Sequence, residues 1–202
     1  MGDENNNSPA NGKRTSSIAL GAGYLAKQNS VTAKIKEAYL TDDKGRPRKI
    51  EDDVLLEPIV WATSASEIVP LLTRLKNDMD FKIDYLSDLT AYDNIDQRDG
   101  KERFVVVYQL YSTVNAIRVR VKAAVDLEAS IDSVIELFWN ANWLEREVFD
   151  LYGIKFTNHP NLRRIMMDER FVGHPLRKEY PIKQRLPFKD NIRFHLGNHP
   201  LQ

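Results

Sequence analysis

Residues 117–122 read Ile-Arg-Val-Arg-Val-Lys, a strict alternation of β-branched and cationic side chains. Successive side chains of a strand point to opposite faces, so Ile117, Val119 and Val121 fall on one side and Arg118, Arg120 and Lys122 on the other. A helix would scatter the same residues around its axis. The stretch therefore reads as a strand with one buried and one wet face. Just before it, residues 103–111 (RFVVVYQLY) are rich in β-branched and aromatic side chains and predict a central strand, leaving residues 112–115 as the hairpin connection. The chain is thus committed to a sheet that needs apolar cover on one face.

The cover comes from segments of helical period. Residue 66 opens a helix in which Ile68, Leu71, Leu72 and Leu75 share a face, and Pro70 lies in its first turn, where a missing N–H costs least. Residues 31–40 predict a short helix with Ser30 as N-cap, and residues 41–53 a loop turning near Gly45 and Pro47. Residues 58–62 (PIVWA) suit a strand, and 81–92 another that ends in an acidic loop carrying Asp93, Asp96 and Asp99. Ser130 is read as the N-cap of a helix with Ile131, Val134, Ile135 and Phe138 on its stripe. A second helical segment over 143–152 is stopped by Gly153. This order predicts an α+β fold, a mixed β-sheet with helices packed on one face. Residues 1–30 are expected to be a disordered N-terminal segment, 31–154 the domain, and 155–202 an extended partner-docking arm. Five of the nine prolines lie between Pro160 and Pro200, which disfavours regular structure there.

The residue inventory excludes several chemistries. There is no cysteine, which removes disulfides, Fe–S clusters and Cys-based zinc sites. Neither GxGxxG nor GxxxxGK[ST] occurs, nor a GxSxG elbow. Glu145, Glu147, Asp150, His159 and His174 crowd into thirty residues, but without HExxH spacing, and each of these histidines precedes a proline. They read as structural histidines. No apolar run approaches the roughly 20 residues of a membrane helix. The formal charge is zero overall but uneven: from Lys155 onward ten Lys and Arg face four Asp and Glu. The cations come singly or in pairs among Pro, Leu and Phe, which does not favour nucleic acid.

What remains is the block 143–180, where carboxylates share helix faces with large apolar groups: Glu145 with Phe149, Glu147 with Leu151. Arg146 and Asp150 are spaced to pair. His159-Pro-Asn-Leu-Arg-Arg and His174-Pro-Leu-Arg-Lys are near-copies, and His199-Pro-Leu echoes them. A rigid proline, an apolar anchor and paired cations suit a chain laid along a protein surface. As a solvated tail it would leave Phe171, Leu176, Tyr180, Phe188 and Phe194 exposed. Glu145, Arg146, Glu147, Asp150, His159, Arg163, Arg164, Phe171, His174, Leu176, Arg177, Lys178 and Tyr180 are the residues expected at a partner surface.

Glu145-Arg146-Glu147, Asp150-Leu151-Tyr152, His159, Arg163-Arg164-Ile165-Met166 and the run from Phe171 to Pro181 resemble the signature of the C-type subunit of NADH:quinone oxidoreductase, the thirty-kilodalton subunit family of respiratory complex I. Tyr85 to Thr90 and Phe104 to Val121 resemble its strand region, so the likeness covers roughly residues 55–182. The resemblance implies a non-catalytic subunit of the quinone-reducing module, in the peripheral arm of a proton-pumping enzyme that passes electrons from NADH to quinone. It implies an arm lying along the D-type subunit of complex I and contacts with neighbouring peripheral-arm subunits. It further implies no flavin and no Fe–S cluster in this chain, those cofactors belonging to other subunits. Membrane contact would come only through the complex. Asp3 and Glu4, with no Arg-rich amphipathic pattern over residues 1–16, point to the cytoplasmic side of a bacterial inner membrane. The alternative is the equivalent subunit of a related membrane-bound hydrogenase or other quinone-linked dehydrogenase.

Overall fold

The computed structural model describes residues 22–52, 57–95 and 102–181. Strands β1 (Ile50–Asp52), β2 (Pro58–Trp61), β3 (Tyr85–Asp93), β4 (Phe104–Ser112) and β5 (Ile117–Val125) form one sheet in the order β1-β2-β5-β4-β3. Every neighbouring pair is antiparallel except β2 and β5, which makes the sheet mixed. The predicted hairpin forms: Ser112 pairs with Ile117 and Phe104 with Val125. Its alternation sorts the residues as expected, with Val119 and Val121 in the core and Arg118 exposed.

Helices α1 (Ala22–Ala38), α2 (Ile68–Asn77) and α3 (Ala141–Tyr152) pack on the face that carries Val60, Val106, Tyr108, Val119 and Val121. Val31 and Ile35 of α1, the predicted Ile68, Leu71, Leu72 and Leu75 of α2, and Ala141 and Val148 of α3 join those strand residues in one core. Each is removed from water, at about 25 cal/mol per Å² of apolar area.

Four expectations change. The helix predicted over 31–40 begins at Ala22, so residues 22–30 belong to it and are not part of an unstructured segment. Ser30 lies inside it, its hydroxyl donating back to the Lys27 carbonyl at 2.8 Å. Residues 1–21 are outside the described set. The loop over 41–53 ends in β1, while Asp42 closes its turn by accepting the Lys44 and Arg46 N–H groups at 2.9 and 2.6 Å. The helix expected from Ser130 is instead a short strand, β6 (Ser130–Asp132), followed by turns. β6 pairs in parallel with β7 (Lys155–Thr157), so the domain runs past the expected boundary at 154 and the arm begins later. Ile131, Val134 and Phe138 are buried all the same, because an apolar pattern reports burial and not the backbone that achieves it.

The helix over 143–152 is present as α3, and Gly153 ends it at φ +78°, with its N–H on the Phe149 carbonyl at 2.8 Å. A Cβ at Gly153 would fall on the His174 ring and the Arg177 guanidinium, which press against this turn. Gly153→Ala therefore meets both left-handed strain and a steric clash, and should cost about 1–3 kcal/mol. A lowered urea midpoint with an unchanged slope checks this.

Candidate functional site

Helix α3 carries two carboxylates that turn inward. Ala141, Glu145 and Val148 recur at helical spacing on its buried side, which takes Glu145 fully out of water. Ser133 Oγ donates to Glu145 Oε2 at 2.6 Å and the Val134 N–H to Oε1 at 2.8 Å. Burial outweighs these two donors and pushes the Glu145 carboxyl up to about 7. His159 stands beside it with its ring buried, Nε2 lying 4.0 Å from Glu145 Oε2. His159 Nδ1 accepts the Asn161 N–H at 3.0 Å, so the ring proton sits on Nε2 and is donated to the Asn142 carbonyl at 3.2 Å.

Asp150 is equally buried but differently supplied. Its Oδ2 accepts the backbone N–H groups of Ile165, Met166 and Met167 at 3.0, 2.7 and 2.8 Å, and its Oδ1 takes Arg164 Nη1 at 2.7 Å. Burial alone would raise its pKa; the three amides and Arg164 prevail and hold it below the usual carboxylate range. Arg164 also reaches the Gly173 carbonyl at 3.0 Å, closing residues 164–173 into a loop around the carboxylate. Arg146, spaced to pair with Asp150, donates instead to the Arg163 and Arg164 carbonyls at 3.1 and 3.4 Å and lies over Trp143.

The chain after β7 therefore forms a strap across α3. Its two His-Pro units occupy opposite ends of the helix, His159 at the Asn142 carbonyl and His174 Nδ1 at the Asp150 carbonyl, 2.9 Å away. Burial first, and then the nearby Arg177 and Arg164, lower the His174 pKa. The Leu176 N–H meets the Leu151 carbonyl at 3.1 Å and Arg177 Nε the Tyr152 carbonyl at 2.6 Å. Phe171 stacks on Tyr180, centroids 5.7 Å apart. The strap then fastens to the sheet edge. The Lys178 N–H bonds Asp93 Oδ2 at 3.0 Å, Arg103 bonds the same oxygen at 2.7 Å, and Glu179 pairs with Arg103.

Of the residues expected at a partner surface, Glu145, Asp150, His159, Arg164, His174 and Arg177 are thus engaged within the chain. Glu147, Arg163, Leu176 and Lys178 stay exposed. Ser133, Asp93 and Arg103 complete the site and were not singled out in the sequence, where Asp93 reads as part of an acidic loop. Lys178 lies 85 residues from Asp93, and no local pattern marks such a bond. Among the described residues no three His, Cys, Asp or Glu side chains gather as a metal site.

A carboxyl whose folded pKa is raised favours the folded state below its unfolded value and loses that advantage as pH rises. For Glu145 the stability should fall by about 3 kcal/mol between pH 4.5 and 7. Glu145→Gln should flatten this slope in urea melts at pH 5 and 8; an unchanged slope contradicts the assignment. Asp150→Asn, whose NH2 must face either the three amides or Arg164, donor against donor, should cost about 3 kcal/mol at pH 7.

This geometry coincides with a family match. Residues 61–186 fit the family described as respiratory-chain NADH dehydrogenase, 30 Kd subunit. The C-type subunit of the NADH-quinone oxidoreductase of Geobacter sulfurreducens is 40% identical over 172 residues, covering 83% of this chain and 99% of the relative. That of Geotalea uraniireducens is 48% identical, covering 83% and 98%. A trypsin-resistant fragment of Nqo5 shares the fold with a TM-score of 0.54 and 29% identity, over 67% of this chain and 99% of the fragment. Within the membrane-bound sulfane sulfur reductase, an archaeal respiratory membrane complex, one chain has a TM-score of 0.58 at 18% identity, a likeness of fold alone, over 78% of this chain and 87% of that one. With the family match spanning more than half of its residues and relatives of that family covered almost end to end, the chain belongs to the 30 Kd subunit family of respiratory-chain NADH dehydrogenase.

Proposed function

We propose that the chain is a non-catalytic assembly subunit of the quinone-reducing module of a proton-pumping NADH:quinone oxidoreductase, docking on the D-type subunit through the outer surface of its strap. The observation that carries this is a division of labour within residues 159–180. Backbone amides at Ile165, Met166, Met167 and Leu176, with the side chains of His159, Arg164, His174 and Arg177, are committed to α3, while the side chains of Ile165, Met166, Val172 and Leu176 point outward among the larger exposed apolar groups. Apolar side chains on a backbone already held in place spare an interface the cost of ordering that backbone.

Its contribution to electron transfer is to hold the module together. Flavin and Fe–S clusters belong to other subunits, and the protein purified alone should carry neither. No helix among the described residues is long and apolar enough to cross a membrane. The chain reaches the cytoplasmic face of a bacterial inner membrane through its partners. Relatives named as subunits of NADH-quinone or NADH-ubiquinone oxidoreductase favour this reading over a hydrogenase-type complex.

Met166→Asp with Leu176→Asp tests the docking. Both side chains are about half exposed or more, at 58% and 49%, so the fold should tolerate the change. Affinity purification of the tagged variant from its host should recover at least about tenfold less of the D-type subunit than the parent chain, with thermal melting within a few degrees. Equal recovery contradicts docking through the strap, and a stoichiometric flavin or iron centre in the isolated chain contradicts the non-catalytic role.

A further inference from the structure

Gly153 ends α3 in a turn on which two nitrogens of the strap converge. A Cβ there would touch both Nη2 of Arg177 and Nε2 of His174, so the two atoms meet beside the same point. Arg177 spends its Nε on the Tyr152 carbonyl at 2.6 Å; among the described residues its two Nη groups donate to no acceptor and no carboxylate pairs with it. His174 Nδ1 faces the Asp150 carbonyl at 2.9 Å. A carbonyl only accepts, so the ring proton sits on Nδ1, and Nε2 is left as an acceptor with no donor among the described residues. Both side chains are half-buried, which fixes them without sealing them from solvent.

The surroundings leave Arg177 short of counter-charge. Its guanidinium and that of Arg103 lie over the one ring of Phe104, at 5.3 and 4.9 Å. The carboxylates around them are already taken. Asp93 is shared between Arg103 and the Lys178 N–H, Glu179 pairs with Arg103, and Asp150 is held by Arg164 and three amides. Glu128 and Glu147 are exposed and pair with neither arginine. Burial first, and then Arg103, lower the Arg177 pKa, and Glu179, Asp93 and Glu128 offset only part of that.

A guanidinium with both Nη groups free can hold two oxygens of one oxyanion. The lone pair on His174 Nε2 adds a condition: an oxygen beside it must bring its own proton. A fully ionised sulfate or carboxylate cannot do so, whereas a phosphate that keeps one P–O–H can. We propose that the turn at Gly153 is a binding site for a hydrogen phosphate group, its ionised oxygens on the Arg177 Nη groups and its P–O–H donated to His174 Nε2. Inorganic phosphate and the headgroup of a lipid phosphomonoester present this same chemistry. The site is complete within this chain and does not depend on docking through the strap.

The test titrates the isolated full-length chain with sodium phosphate at pH 7 and constant ionic strength, following the Gly153 amide and the His174 ring nitrogens by NMR. Saturable shifts at both are expected, with sodium sulfate at least about tenfold weaker because its oxygen meets the Nε2 lone pair. Arg177→Gln should weaken phosphate binding about tenfold or more, while Lys155→Gln, which removes an exposed cation close by in sequence, should leave it unchanged. The sulfate comparison uses the unaltered chain, so it stands even where Arg177→Gln loosens the strap. Vesicles of phosphatidylcholine with and without phosphatidic acid separate the sources: capture by the phosphatidic acid vesicles that phosphate reverses assigns the lipid headgroup, and shifts with phosphate but no capture assign the free ion. No saturable binding of either, sulfate bound as well as phosphate, or an equal loss in Lys155→Gln would each overturn the proposal.

Discussion

The last turn of α3 leaves four carbonyl oxygens without partners inside the helix, and each is met by the chain that follows. Gly153 takes the Phe149 carbonyl, His174 that of Asp150, Leu176 that of Leu151, and Arg177 that of Tyr152. A helix end half covered by protein could not leave these groups dry without a cost of about 1–3 kcal/mol apiece. Asp150 adds the reciprocal contact, gathering three backbone amides and Arg164 onto one carboxylate. The position of the strap, its fastening at Asp93 and Arg103, and the outward direction of Ile165, Met166 and Leu176 all follow from this one junction.

The two carboxylates of α3 show how local supply decides the state of a buried acid. Glu145 receives one hydroxyl and one amide and is driven toward the neutral form; Asp150 receives three amides and a guanidinium and stays charged. Both carboxylates are held by donors of the chain itself. His159 and His174, too, are engaged at backbone carbonyls. The polar contacts around α3 are accounted for by fixing the strap against the helix.

The fold was legible where periodicity is strong. The alternation over 117–122 and the Leu71, Leu72, Leu75 stripe each name a backbone, a face and a neighbour, and all are found as read. Residues 130–138 failed for a physical reason: Ile131, Val134 and Phe138 need burial, but β7, which holds β6 as a strand, lies 25 residues downstream. The block 143–180 was legible as a unit, and its mixture of charge and bulk marks partly buried ionic contacts. What could not be read was their target. Arg146 and Asp150 are spaced to pair with each other, yet each finds the strap, because three convergent amides outcompete a flexible side chain on the surface. Pairings such as Lys178 with Asp93 exist only once the tertiary path is set.

The central claim is that the strap is seated on its own helix before any partner arrives. Hydrogen exchange of the isolated chain at neutral pH measures this directly, through the amides of Ile165, Met166, Met167 and Leu176. Protection comparable to that of the α3 interior is the predicted result. Exchange at the rate of an unstructured peptide, with α3 itself protected, would contradict it.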